Sequence, residues 1–113
     1  MPADLAGLGR FAEPSLVILL ALSEGPKHGY AIMVAARELT GEPLGPGTLY
    51  ATLARLEDHG LIEALPAQDR RRPYRLTAEG TDALRMQLEG IEGIVRTGLA
   101  RLGRYRGSRP TTS

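Results

Sequence analysis

Arginine is the residue type in this chain whose number and spacing most clearly indicate a chemistry. Four arginines fall within the six residues 70–75, in the run RRRPYR. Residues 70–113 hold ten basic and four acidic side chains, whereas residues 1–69 hold four basic and nine acidic ones. A local cluster of this kind predicts contact with a polyanion, although a solvated loop and a basic tail account for the same charges.

Groups suited to catalysis or metal binding are sparse. The two histidines, His28 and His59, are far apart, without cysteine and without the H-E-x-x-H spacing of a metal site. Ser15 and Ser23 have no base beside them, which argues against a nucleophile. We therefore predict a protein that is not an enzyme, with no catalytic residue, no metal and no cofactor.

Targeting signals are also missing from the pattern of the sequence. The longest apolar run, LVILLAL at 16–22, is too short to span a bilayer. The first residues show no charged segment followed by an apolar one, as a secretion signal requires. We expect a cytoplasmic protein with no membrane partner.

Residues 45–62, GPGTLYATLARLEDHGLI, predict a helix that begins at Pro46 and ends before Gly60. Three leucines cluster within about 60° and form its apolar side: Leu49, Leu53 and Leu56. The rest of the helix carries mostly small and uncharged side chains, which suits close approach to base edges in a DNA major groove. On this reading the contacts come from the helix start at Gly47 and from Thr48, Ala51, Thr52 and Arg55. Packing against another helix is the alternative for this face.

The remaining elements follow from periodicity and from turn residues. Pro14 begins an apolar helix that Gly25-Pro26 ends, and a second helix follows HGY and closes at Gly41. LIEALPA and RPYRLT predict two strands joined by a basic turn, and Thr77 is placed to cap a last helix. This order is that of a winged helix-turn-helix. We predict a mainly α fold with a small β-hairpin, whose wing contacts DNA through Arg70, Arg71 and Arg72, with Tyr74 as an aromatic neighbour.

The last helix carries an apolar stripe at coiled-coil-like spacing, formed by Leu84, Leu88, Ile91, Val95 and Leu102. Gly90, Gly93 and Gly98 each cost this helix about 1 kcal/mol relative to alanine. Packing must therefore hold the helix, and a second copy of the chain is the simplest cover. We predict an N-terminal arm at 1–13, a DNA-binding domain at 14–77, a dimerisation helix at 78–106 and a disordered tail at 107–113.

Three segments give the chain a resemblance to a known family. GPKHGY at 25–30, GTLYATLARLEDHGLI at 47–62 and RRRPYRLTAEG at 70–80 are similar, in order and separation, to the PadR family of bacterial transcriptional regulators. The resemblance covers about residues 14–84 and implies a homodimeric repressor that binds a palindromic operator in double-stranded DNA. It assigns to DNA binding the recognition-helix residues Gly47, Thr48, Tyr50 and Arg55, the wing residues Arg71, Arg72 and Tyr74, and Tyr30 near the DNA backbone. His28 is expected to cap a turn.

The sequence departs from the family pattern at three places. Gly45 replaces a frequent serine, which weakens the cap of the third helix by a few tenths of a kcal/mol. Pro73 cannot donate to a ladder, so we expect the second wing strand to be an edge strand there. Tryptophan is absent from the chain, and in particular from the last helix, so the aromatic drug-stacking pocket known in some members of the family is not expected here. A small-molecule effector is a possible partner that the sequence does not identify. The alternative function is a winged-helix protein–protein adaptor, which has no need of phosphate-binding charge at both Arg55 and the wing.

Overall fold

The computed structural model describes residues 13–104, which form four helices and a three-stranded antiparallel sheet. The helices are α1 (Pro14–Leu22), α2 (Gly29–Thr40), α3 (Pro46–Asp58) and α4 (Ala78–Arg104), and the strands are β1 (Lys27–His28), β2 (Ile62–Ala64) and β3 (Pro73–Leu76). The predicted order of three helices, a hairpin and a long helix is confirmed. Most of the predicted arm and the whole of the predicted tail lie outside the described residues.

The core is built around α1, which is apolar on nearly every side. Its buried residues are Leu16, Val17, Ile18, Leu19, Ala21 and Leu22. The other elements contribute one apolar side each, through Ile32, Leu49, Leu53, Leu56, Ile62 and Leu84. Burying one such leucine or isoleucine side chain stabilises the fold by about 1.5–3 kcal/mol. Leu84 is only 5% exposed within a single chain, so its predicted place on a dimer surface is wrong.

The sheet has the strand order β1-β3-β2, which differs from the predicted hairpin by one strand. The two residues of β1 pair with β3 in the register Lys27 to Tyr74 and His28 to Pro73. β3 is therefore the central strand, and the expectation of an edge strand at Pro73 is wrong. Pro73 is tolerated because it opens the strand, where no N–H is needed, and its carbonyl accepts a bond from the Leu65 amide at 2.8 Å.

A two-residue turn forms the tip of the wing. The amides and carbonyls of Gln68 and Arg71 bond each other at 2.7 and 2.8 Å and close the turn around Asp69 and Arg70. Both central residues have positive φ, 51° for Asp69 and 65° for Arg70. Positive φ at both positions is the geometry of a type I′ hairpin turn, which favours glycine at the second position. The wing therefore carries an arginine where the backbone favours glycine.

The start of α4 is fixed to the residues that follow α3. As predicted, Thr77 caps the helix, because its hydroxyl accepts a bond from the Gly80 amide at 3.0 Å. The same hydroxyl donates to the Gly60 carbonyl at 2.6 Å, and the Thr77 amide donates to the Leu61 carbonyl at 3.1 Å. A Cβ at Gly80 would overlap that Leu61 carbonyl oxygen. From this joint α4 continues unbroken through Gly90 to Arg104.

Candidate nucleic-acid interface

Helix α3 presents one apolar face to the core and exposes to solvent a second face on which several side chains are small. Leu49, Leu53 and Leu56 are buried, as predicted. The exposed side includes Gly47, Thr48, Tyr50, Ala51 and Arg55. At the N-terminus Gly45 makes no side-chain cap bond, and within residues 13–104 the amides of Gly47 and Thr48 have no acceptor. The helix therefore offers free N–H donors and a low surface at the same end.

Thr52 does not belong to this surface. Its side chain is 2% exposed, so the prediction that it meets base edges is wrong. The reason is angular: four residues advance a helix by 400°, which places Thr52 about 40° from Leu56 and on the core side. The residue type favoured DNA contact, but its position on the helix decides against it.

The wing tip concentrates positive charge that is not neutralised by ion pairs. Arg70, Arg71 and Arg72 are exposed, and the ion pairs among the described residues involve none of them. Arg75 at the base of the wing pairs instead with Glu63 on the neighbouring strand. Asp69 is the one acidic residue in the turn itself. The arginines at the tip therefore keep donors available to an anion.

The start of α2 lies against Tyr50 of α3, and the strand that precedes α2 pairs with β3. The hydroxyl of Tyr50 lies so close to Gly29 that a Cβ there would overlap it. Tyr74 packs against the core from β3. Burial raises the pKa of the Tyr74 hydroxyl, and the carboxylate of Glu57 on α3 adds to that effect. The three segments that carry the family resemblance therefore form one continuous region.

Tyr30 and Tyr74 occupy different environments within this region. Tyr30 is 68% exposed at the start of α2, where its ring is accessible to a partner. Tyr74 is half-buried and packs against the core, with Tyr50 and Glu57 of α3 nearby. The predicted contacts of both tyrosines with DNA stay predictions, and the exposure of Tyr30 suits such a contact better.

His28 joins the start of α2 to the wing. Its Nδ1 lies 3.5 Å from the Ala31 amide, which agrees with the expected capping role. Its Nε2 lies 3.3 Å from Nη1 of Arg71, a residue 43 positions later in the chain. Sequence reasoning missed this second contact, because it depends on β1, a strand too short to be read from periodicity.

Other kinds of site find little support in this part of the chain. Residues 13–104 contain no group of three or more His, Asp or Glu side chains that could hold a metal ion. None of the helices in that range is both long enough and apolar enough to cross a membrane. The arginine-bearing surface of α3 and the wing is thus the candidate site.

Comparison with known proteins agrees with this geometry. The profile of the Transcriptional regulator PadR-like family matches residues 18–86, which is more than half of the chain. The chain belongs to the PadR-like family. The match spans α2, α3 and the wing and extends into the first turns of α4. It therefore contains every element that contributes to the candidate site.

Proteins similar to this chain are found among curated sequences and among solved structures. The chain is 42% identical over 82 residues to an uncharacterised 37.1 kDa protein of transposon Tn4556 from Streptomyces fradiae. It is 33% identical over 84 residues to the transcriptional regulator YqjI of Escherichia coli. Each match covers 73% of this chain, but only 24% and 41% of the two relatives, which are much longer.

A solved PadR family regulator matches the chain over nearly its own full length. This protein, from Clostridium difficile, superposes with a TM-score of 0.71 at 29% identity and covers 79% of this chain and 97% of its own. The similarity thus extends beyond the 69 residues of the family profile. The PadR-like fold accounts for most of this chain.

Proposed function

We propose that this protein is a transcriptional repressor that acts in the cytoplasm as a homodimer and binds a palindromic operator in double-stranded DNA. The observation that carries the proposal is the meeting of two DNA-suited features on one surface. The low, exposed face of α3 offers Thr48, Ala51 and the Arg55 guanidinium to base edges. The arginines of the wing tip offer charge to phosphates.

The start of α3 adds a contact that does not depend on side-chain charge. The amides of Gly47 and Thr48 point out of the helix N-terminus without acceptors among the described residues. Free amides and the positive end of the helix dipole favour a phosphate oxygen at this position. Phosphate contacts at both the helix start and the wing would fix the depth of α3 in the groove.

A second copy is proposed to cover the apolar stripe of α4. Leu88, Ile91, Val95 and Leu102 are all exposed in the single chain, and Leu99 lies beside them. Because Leu84 belongs to the core, the proposed dimer surface begins one turn later, at Leu88. A two-fold axis along this stripe would place two α3 helices roughly 34–36 Å apart, one DNA turn.

A salt series on a charge-neutralised wing tests DNA binding. Arg70, Arg71 and Arg72 are changed together to glutamine, and binding to mixed-sequence DNA is titrated by fluorescence anisotropy. The logarithmic salt slope should fall by about 0.9 for each phosphate that the wing no longer binds. The matched control changes Arg85, Arg101 and Arg104 on α4 to glutamine, which alters net charge equally and should leave the slope unchanged.

Two outcomes of this experiment count against the proposal. Equal slopes for wild type and the wing variant would show that the wing does not touch DNA. No binding at any salt by the wild-type protein would favour the adaptor function instead. Sequencing fragments that the protein selects from random DNA then tests whether the operator is palindromic.

A further inference from the structure

His28 has two hydrogen-bond donors directed at it, one on each ring nitrogen. Nη1 of Arg71 lies 3.3 Å from Nε2, and the Ala31 amide lies 3.5 Å from Nδ1. A neutral imidazole has one N–H and one acceptor nitrogen, whereas a guanidinium and an amide N–H can only donate. His28 can therefore accept from one of these donors at a time, and the position of its proton decides which.

Arg71 is the stronger of the two donors. Its guanidinium is always charged, and hydrogen bonds from charged donors are roughly twice as strong as neutral ones. Its distance to the ring is also the shorter one. The contact with Arg71 therefore favours the tautomer that has its proton on Nδ1 and accepts through Nε2, in which Nδ1 no longer accepts from the Ala31 amide.

The backbone holds His28 in place for this contact. His28 lies in β1 and pairs directly with Pro73 of β3, two residues after Arg71. The ring is thus attached to the same sheet as the wing arm that carries Arg71. Gln68 and Arg71 are the first and last residues of the turn at the wing tip, and their backbones hydrogen-bond to each other, which limits the movement of the Arg71 backbone.

The bond orients Arg71 while leaving most of its donors available. A guanidinium has five N–H donors, and the contact with His28 uses one of them. The others can still meet a phosphate, and a side chain ordered beforehand loses less conformational freedom on binding. We propose that His28 is a positioning residue, which holds the Arg71 guanidinium ready for a DNA phosphate. This inference rests on the proposed contact between the wing and DNA.

The position of the His28 ring proton tests the contact without DNA. Nitrogen NMR of the wild-type protein should show the proton on Nδ1. In Arg71→Ala the Ala31 amide is the remaining donor, so the proton should move to Nε2. A residue that only caps α2 would show the Nε2–H form in both proteins, and that result overturns the proposal.

Binding to a mixed-sequence duplex at low ionic strength tests the consequence for DNA. His28→Asn keeps a good helix cap but is too short to reach Arg71. Its affinity should fall about two- to tenfold, the range expected for one hydrogen bond. His28→Gln extends a carbonyl oxygen toward the place of Nε2 and should restore most of that affinity. Thermal unfolding of each variant verifies that it is folded.

The Arg71→Ala background separates positioning from other effects. If His28 acts through Arg71, His28→Asn should cause no further decrease of affinity in that background. An equal decrease in both backgrounds overturns the proposal, even if the proton has moved as expected. Unchanged DNA affinity of Arg71→Ala alone would refute the contact of Arg71 with DNA and with it the role of His28. The proposed contact of the wing through Arg70 and Arg72 would still stand, and the proton position would still report whether His28 and Arg71 meet.

Discussion

Replacing Arg70 by glycine should stabilise the protein and weaken its binding to DNA at the same time. Arg70 has a φ of 65°, a conformation that costs an L-residue about 1–2 kcal/mol. Glycine removes this cost but gives the unfolded chain additional freedom worth about 0.4–1 kcal/mol. The net gain in the free energy of unfolding is then about 0.5–1 kcal/mol, which corresponds to about 2–6 °C in the melting temperature.

The decrease in DNA affinity follows from the charge that the same change removes. One phosphate contact contributes about 0.9 to the logarithmic salt slope, so removing it weakens binding roughly eightfold at 0.1 M salt. Circular dichroism melts at matched protein concentration measure the first effect, and anisotropy titrations across a salt series measure the second. Arg70→Lys keeps both the charge and the strained backbone, and should leave both quantities close to wild type.

Two results would refute this reasoning about Arg70. A melting temperature that stays constant or falls in Arg70→Gly would show that the positive φ stores no strain. A higher melting temperature with an unchanged salt slope would show that the arginine at the wing tip does not reach DNA. In that case the strained backbone conformation of Arg70 would have no role in DNA binding.

Three further predictions address the frame around the site. Gly80→Ala should lower the free energy of unfolding by about 1–3 kcal/mol through overlap with Leu61, whereas Gly90→Ala, at a position with open space, should raise it by about 1 kcal/mol. Urea denaturation of both variants measures these changes, and destabilisation by both would mean that another surface covers Gly90. The raised pKa of Tyr74 contributes stability below about pH 10 that is lost as pH rises through the folded-state pKa. Tyr74→Phe should therefore flatten the alkaline decline in the free energy of unfolding, and identical declines in the wild type and the variant would contradict this. Leu88→Asp should give monomeric or unfolded protein in sedimentation, and a folded wild-type monomer at micromolar concentration would exclude the proposed dimer.

Features that depend on local pattern were predictable from the sequence. The three leucines of α3 recur at helical spacing, and they are buried in the structure. Gly60, with a φ of 74°, ends the helix where the sequence indicates a stop. Thr77 caps α4 as its position before an acidic first turn indicates. In each case the signal and the contact lie within a few residues of one another.

Features that depend on tertiary contacts were not predictable. The strand β1 exists because residues 27–28 meet β3, and its two residues are too few to show a period. Thr52 has a side chain suited to base edges, but the packing of α3 turns it toward the core. Leu84 belongs to the same stripe as Leu88, but the packing of α4 against α1 and β3 leaves Leu84 buried and Leu88 exposed. The pairing of His28 with Arg71 has no local signal, because 43 residues separate them.

The attachment of α4 to the end of α3 has a mechanical consequence for the proposed dimer. Thr77 bonds the Gly60 carbonyl and Gly80 lies against Leu61, so we expect α4 and α3 to move together as one rigid unit. Helix α4 is 27 residues long, or about 40 Å. If α4 pivots at its C-terminal end, a tilt of roughly 5° moves its N-terminal end by about 3.5 Å, which is close to the rise of one DNA base pair. A change of a few degrees in the angle between two such helices would therefore change the half-site spacing that the protein accepts by about one base pair.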